Sequence, residues 1–229
     1  MSLRDTYFAT FHSRRLPGAA ALTSVFFSRS AGGTLYWMSG VSKSRKSRKP
    51  PVLTIGHSTR SLEEFLALLA AHDVARVVDV RTIPRSRHNP QFNRDTLSKD
   101  LRRRGIGYLH MKKLGGLRHA RPDSPNRGWR NASFRGFADY MQTPEFGIAL
   151  ARLENLVAKK RCALLCAEAV PWRCHRSLIA DALAVHGFPV EHILSPTRRQ
   201  RHKRTPFLRV RRGRLTYPEE NPPKTNPTT

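Results

Sequence analysis

Within the eleven residues from Cys166 to Arg176 lie two thiols, a carboxylate, an imidazole and two guanidinium groups: Cys166, Glu168, Arg173, Cys174, His175 and Arg176. No other stretch is as dense in reactive side chains. A thiolate is a nucleophile, an imidazole can take or give its proton, and guanidinium forks hold anions. Glu168 could orient an imidazole or take a proton itself. Cys174 falls where a helix is expected to begin, a position that favours the thiolate. His57 is a second candidate acid or base, and Arg81 a further anion holder.

The same residues support quieter arrangements. Glu168 with Arg176 and Asp79 with Arg81 could be buried ion pairs that brace the sheet edge. Cys162 and Cys166, four residues apart on an expected strand, would stand roughly 13 Å apart, too far to share a metal ion or a disulfide. Cys166, Cys174 and His175 could still converge on a metal with His57 or Glu168 as a fourth ligand, but the spacing is no recognised zinc pattern. No metal and no cofactor are assigned.

Chemistry at this stretch requires elements that carry it. Residues 162–166 are a short apolar run, a loop with Pro171 and Trp172 follows, and helical spacing opens at Cys174 with Leu178, Ile179, Ala182 and Leu183, stopping at Gly187. Strand, loop and helix in that order place the reactive groups at a strand's carboxyl end, where ligands gather in open α/β sheets. Upstream, Val52 to Ile55 reads as a strand ended by Gly56, and Ser61 with Glu64 as a capping box before a helix carrying Phe65, Leu66 and Leu69. Val74 to Val80 is the next strand, and a strand–helix–strand order predicts a parallel pair.

Thr82 to Phe92 reads as a loop, Thr96 to Leu101 as a basic helix stopped by Gly105, and Ile106 to His110 as a strand. The long segment after Leu114-Gly115-Gly116, through Asn131, is expected to be an ordered lid rather than slack chain. Phe134, Phe137, Tyr140 and Met141 share a helical face, and Thr143-Pro144 starts a helix striped by Phe146, Leu150, Leu153 and Val157. Val190 to Leu194 is a last strand. The expected architecture is α/β: a single domain with a short, mostly parallel sheet flanked by helices, a disordered N-terminal arm and a basic C-terminal extension. Its bounds are 1–51 for the arm, 52–196 for the domain, 197–217 for a basic linker with a small hairpin around Gly213, and 218–229 for a disordered tail.

The charge follows that division. The 229 residues carry a net +26, with nine Lys/Arg against one acid in residues 1–50 and nine against none in 198–217. With the net −1 of residues 218–229, sixteen of the 26 charges lie outside residues 51–197, a distribution suited either to solvated tails or to a polyanionic partner such as nucleic acid. Three cysteines are too few and too odd in number for a disulfide framework, so a reducing, cytoplasmic setting is expected. No apolar run approaches the roughly 20 residues that span a bilayer. Gly18 to Phe27, after Arg14 and Arg15, weakly mimics a signal peptide, but the expected biological start is Met38.

Several fragments, in order and at strand ends, resemble the domain-of-unknown-function 488 family. They are Thr54-Ile55-Gly56-His57-Ser58, Asp79-Val80-Arg81 with Pro84 and Ser86, Leu114-Gly115-Gly116, and Cys166-Ala167-Glu168 with Cys174-His175-Arg176. The resemblance covers about residues 52–195 and implies a compact α/β domain with a pocket but no assigned reaction. Asp79-Val80-Arg81 with a later strand-loop-Cys also resembles rhodanese-like sulfurtransferases and, more loosely, cysteine phosphatases. Their phosphate cradle is a tighter turn: six residues, including Pro171 without an N–H, separate Cys166 from Arg173.

The leading expectation is an enzyme-like pocket for an anionic small molecule, phosphate- or nucleotide-like. Cys166, Glu168, Cys174, His175 and His57 would do the chemistry. Gly56, Ser58, Asp79, Arg81, Ser86, Gly115, Gly116, Trp172, Arg173 and Arg176 would bind. The competing expectation is a nucleic-acid-binding accessory protein working through its basic loops and C-terminal run. A sulfurtransferase or thiol redox protein is a third.

Overall fold

A computed structural model describes residues 49–219. The expected N-terminal arm up to Arg48, the Met38 start, and residues 220–229 of the expected tail lie outside the described residues. Eight strands and five α-helices follow one another as β1 (Val52–Gly56), α1 (Leu62–Ala71), β2 (Arg76–Asp79), α2 (Arg94–Arg103) and β3 (Gly107–His110). Then come α3 (Ala132–Tyr140), α4 (Pro144–Val157), β4 (Cys162–Cys166), α5 (Arg176–Val185) and β5 (Val190–Ile193). The short strands β6 (Arg199–Arg201), β7 (Arg209–Arg211) and β8 (Arg214–Thr216) close the described chain.

Six strands form one sheet in the order β3-β2-β4-β1-β5-β6, parallel except for β6. The α/β class read from the sequence is therefore correct. Side chains alternate across it, as a pleated strand requires. Leu53, Ile55, Val77, Ala163 and Leu165 pack with Phe65, Leu69, Leu97 and Leu101 of α1 and α2 on one face. Val52, Val78, Cys162, Leu164 and Cys166 pack with Phe137, Leu150, Leu153, Leu178 and Leu183 of α3, α4 and α5 on the other.

This two-sided wrapping creates the crevice. The chain leaves β1 and β2 toward the face of α1 and α2, and leaves β4, which lies between them, toward the face of α5. Where adjacent strands send their connections to opposite faces, a cleft opens at the carboxyl ends. Cys166 ends β4 at that point.

Local rules set the helix ends. Ser61 and Glu64 make the reciprocal capping box, Asn131 caps α3, and Thr143 caps α4 ahead of Pro144. The segment after Pro196 does more than link. Arg199–Arg201 adds an antiparallel edge to β5, β7 and β8 form a hairpin turning at Arg212 and Gly213, and Leu215 and Tyr217 are buried in the core. Trp129, in the long segment after β3, meets Phe134 and Tyr217 in tilted ring contacts and Phe207 edge-on, so that segment and the C-terminal one hold each other in place.

Candidate active site

Three strand exits are stitched together at the crevice. Backbone N–H groups of His57, Ser58 and Val80 donate to the carbonyls of Cys166 (3.0 Å), Ala167 (2.8 Å) and Leu165 (3.0 Å). Gly56 is required there because a Cβ would sit 1.9 Å from the Glu168 carbonyl oxygen. Ser58 takes a left-handed conformation (φ 50°), an unusual cost for a residue with a side chain. Its carbonyl oxygen accepts a hydrogen bond from His57 Nδ1 at 2.8 Å.

His175 precedes α5 and turns its ring back over the end of β4. Its Nε2 lies 3.0 Å from the Val80 carbonyl oxygen, which can only accept, so Nε2 carries a hydrogen. Nδ1 therefore faces Cys166 Sγ at 3.8 Å and Cys174 Sγ at 3.7 Å as the atom that takes or returns a thiol proton. Phe137 meets the ring edge-on, and the backbone of Gly116 lies so close that a Cβ would come within 2.5 Å of Nδ1. A carbonyl that fixes the tautomer and two walls that fix the plane leave the imidazole one orientation.

The two thiols titrate in opposite directions. Cys166 is held well below the usual thiol range, first by a hydrogen bond from the Cys174 thiol, against desolvation, and then by His175 and Arg176. Cys174 is pushed well above it, by the same hydrogen bond, by burial and by the Cys166 charge. A position at a helix start would make Cys174 the thiolate. Cys174 precedes the first helical residue by two and is the donor, so Cys166 holds the charge.

Arg176 is 1% exposed, yet it pairs with no carboxylate among the described residues. Its Nη1 donates to the Glu168 carbonyl and its Nη2 to the Ala169 carbonyl at 2.7 Å. The expected Glu168–Arg176 ion pair is thus a clamp on the loop backbone, and Glu168 turns outward to accept from Val170 N–H at 3.2 Å. A buried guanidinium without a partner carboxylate favours an anion nearby, and the Cys166 thiolate supplies it.

The other expected ion pair forms. Asp79 accepts from Arg81 Nε (2.9 Å) and Nη2 and from Tyr108 Oη (2.7 Å), and Arg81 Nη2 also reaches the Phe92 carbonyl (2.9 Å). Arg81 Nη1 lies 3.3 Å from His57 Nε2, whose Nδ1–H is committed to Ser58, so His57 accepts from the arginine. Burial, then the Arg81 charge, hold the His57 pKa down, although the Ser58 bond pulls it up. His57 stacks on Phe92 at 4.3 Å between ring centroids. It is a neutral wall of the site, aimed at Arg81.

These groups border a cavity of about 640 Å³. Of the residues singled out from the sequence, Cys166, Glu168, Cys174, His175 and His57 line it, with Ser58, Arg81, Ser86, Gly116 and Arg173. Five do not. Asp79 and Arg176 are buried behind it, Gly56 and Gly115 pack against Glu168 and Thr82, and Trp172 is exposed outside it. Sequence reasoning missed Arg85, Leu117, Ile83 and Phe134, which also line the cavity, and Tyr108, Phe92 and the Val80 carbonyl, which hold its walls. Arg85 stands in the loop expected from Thr82 to Phe92, two residues from Arg87, a usable signal. A main-chain carbonyl leaves none.

Cys166 Sγ, Cys174 Sγ and His175 Nδ1 all lie within 4.8 Å of one another. They are a soft ligand set of the kind that holds zinc, with Nε2–H to a carbonyl as outer support. The two fourth ligands suggested by the sequence are engaged elsewhere, His57 by Arg81 and Ser58, Glu168 by Val170.

A family model described as "Domain of unknown function DUF488" matches residues 61–183, from the cap of α1 into α5. The chain belongs to this family. The match spans Arg81, Ser86, Gly116 and the whole run from Cys166 to Arg176, so most of the cavity is family territory; His57 and Ser58 lie just before it. No curated protein matches the chain, and no solved structure does. Among the described residues no helix is long and apolar enough to cross a membrane.

Proposed function

We propose that this protein is a thiol-dependent enzyme in which Cys166 attacks a small anionic substrate and His175 manages the proton. One observation carries the reading: His175 Nδ1 is turned onto two thiols while Nε2 is held by the Val80 carbonyl. A nucleophile, a base and a group that orients the base are the recurring parts of covalent catalysis. Arg85 and Arg173, both exposed at the rim, are free to meet an anion, whereas Arg81 is occupied by Asp79, Phe92 and His57.

The test compares two alkylating reagents on the full chain, anionic iodoacetate and neutral iodoacetamide, with sites read by peptide mass mapping. Cys166 should be alkylated first, iodoacetate should gain over iodoacetamide relative to a free thiol, and Arg85→Ala with Arg173→Ala should remove that gain. Equal, slow labelling of all three cysteines would reject the proposal.

A second reading, nucleic-acid binding, is favoured by one feature. Arg201 on the sheet edge and Arg211 and Arg212 on the β7–β8 hairpin are all exposed in a segment without acids. Truncation cannot test it, because Leu215 and Tyr217 belong to the core. Arg201→Ala, Arg211→Ala and Arg212→Ala together should weaken RNA or DNA binding and flatten its salt dependence. An unchanged salt slope would remove the reading.

A further inference from the structure

We propose that Cys166 and Cys174 form a dithiol–disulfide couple: Cys166 takes one half of an anionic low-molecular-weight disulfide and Cys174 then displaces it. This rests on Cys166 being the nucleophile and adds the substrate class, since an adduct that a second thiol can remove at sulfur is joined through an S–S bond.

Both thiols line the same cavity, both are free, and their sulfurs lie within 4.8 Å of each other. A disulfide bond is about 2.05 Å long, so the sulfurs need only close by no more than about 2.8 Å. They belong to different elements, Cys166 to the end of β4 and Cys174 to the turn before α5, so side-chain rotation and a small movement of that turn suffice. His175 Nδ1, nearly equidistant from both at 3.8 and 3.7 Å, can serve each in turn. Cys162 has none of this: it is buried in the strand, outside the cavity, and burial pushes its thiol up to about 11.

The steps balance. The Cys166 thiolate attacks one sulfur of RSSR, forming Cys166–S–S–R, and the departing RS⁻ takes the proton from the His175 imidazolium to leave as RSH. Neutral Nδ1 then accepts the proton of Cys174. The Cys174 thiolate attacks Cys166 Sγ, the Sγ–S bond of the mixed disulfide breaks, and the second RS⁻ leaves with that proton. The protein dithiol is oxidised to a disulfide and RSSR is reduced to two RSH. The division of labour fits the opposed titration of the two thiols, because the charged sulfur attacks first and the protonated one is activated only when its turn comes.

Reduced full-length protein is exposed to glutathione disulfide, a disulfide rich in carboxylates, and followed by intact mass and peptide mapping. Wild type should lose two hydrogens, link Cys166 to Cys174 and retain no glutathionyl group. Cys174→Ser, with Cys174→Ala as a second variant, should keep one glutathionyl group on Cys166, and Cys166→Ser should acquire neither product. A wild type that retains the adduct on Cys166 with Cys174 free overturns the couple. So does a Cys166 that reacts with iodoacetamide but not with glutathione disulfide, although the nucleophile reading survives. Failure of Cys166 to react with either reagent removes both.

Discussion

His175 Nε2 stands 3.0 Å from the Val80 carbonyl oxygen, and that bond decides which nitrogen faces the thiols. It makes the reactivity of Cys166 depend on a ring nine residues away in sequence. Because Cys166 is held well below the usual thiol range, its alkylation rate should remain high below about pH 8.5, the ordinary thiol value. His175→Ala removes one of the groups that favour the thiolate, so the pH profile should move upward, and the rate at pH 7 should fall about tenfold for every pH unit by which its midpoint comes to exceed 7. The rate of iodoacetamide labelling at Cys166 between pH 5 and 10 checks this. An unchanged profile would separate His175 from the thiol.

Gly116 makes a sharper test of the same bond. A Cβ there would lie 2.5 Å from His175 Nδ1 and 2.6 Å from Cγ, so Gly116→Ala must push the ring away. The labelling profile should move toward that of His175→Ala while the melting temperature changes little. Gly56→Ala is the contrast: its Cβ would meet the Glu168 main chain at 1.9 Å, which cannot swing aside, and thermal melting should show a large loss.

What the sequence could carry was set by the range of each interaction. Hydrophobic period, capping residues and Gly or Pro stops are local, and they place β1, α1, α4, β4 and α5 within a residue or two. The convergence of His57, Arg81 and Cys166 was legible because each lies at or just beyond the end of a parallel strand. Partner choice was not. Arg176 and Glu168 are eight apart and opposite in charge, yet the guanidinium takes the loop carbonyls, because a buried turn without enough N–H donors must find them elsewhere. The edge strand β6 was hidden for another reason. Arg199-Gln200-Arg201 is all polar, as suits an exposed edge, and has no alternation to betray it.

Arg176 joins stability to reactivity, and two substitutions separate them. Arg176→Met keeps the stem but leaves two loop carbonyls without their donor and removes a buried charge beside Cys166. Unfolding in urea should show a loss of about 2–6 kcal/mol, from roughly 1–3 for each of the two unsatisfied carbonyls, and the Cys166 labelling profile should move to higher pH. Arg176→Lys restores charge without the fork, so it should recover the profile more than the stability. If Arg176→Met leaves Cys166 labelling unaltered, the charge has no part in holding the thiolate.

On the α5 face, a relay of four side chains ties the C-terminal segment to the sheet. His202 Nε2 faces Asp181 Oδ1 at 2.9 Å, His202 Nδ1 faces His192 Nε2 at 3.1 Å, and His192 Nδ1 faces Thr54 Oγ1 at 2.7 Å. With the carboxylate accepting at one end and the hydroxyl donating at the other, both rings satisfy every bond in the neutral form. Thr205 and Tyr217 complete the anchor on Asp181 Oδ2. Burial, then the repulsion that a protonated His202 and Arg176 would exert on a second positive charge, hold the His192 pKa down to about 3. Since the unfolded ring titrates near 6.5, the unfolded chain binds the extra proton between about pH 6.5 and 3. The contribution of His192 is therefore fully present above pH 6.5 and lost progressively as pH falls through that window, by an amount on the order of a few kcal/mol. Urea unfolding at pH 7.5 and 4.5 should show the loss in wild type. His192→Gln, which can accept from Thr54 and donate to His202 but cannot take a proton, should start less stable and lose less on acidification. An equal loss in both proteins would place the acid sensitivity elsewhere, with His57, whose pKa is also lowered by burial, the next residue to replace.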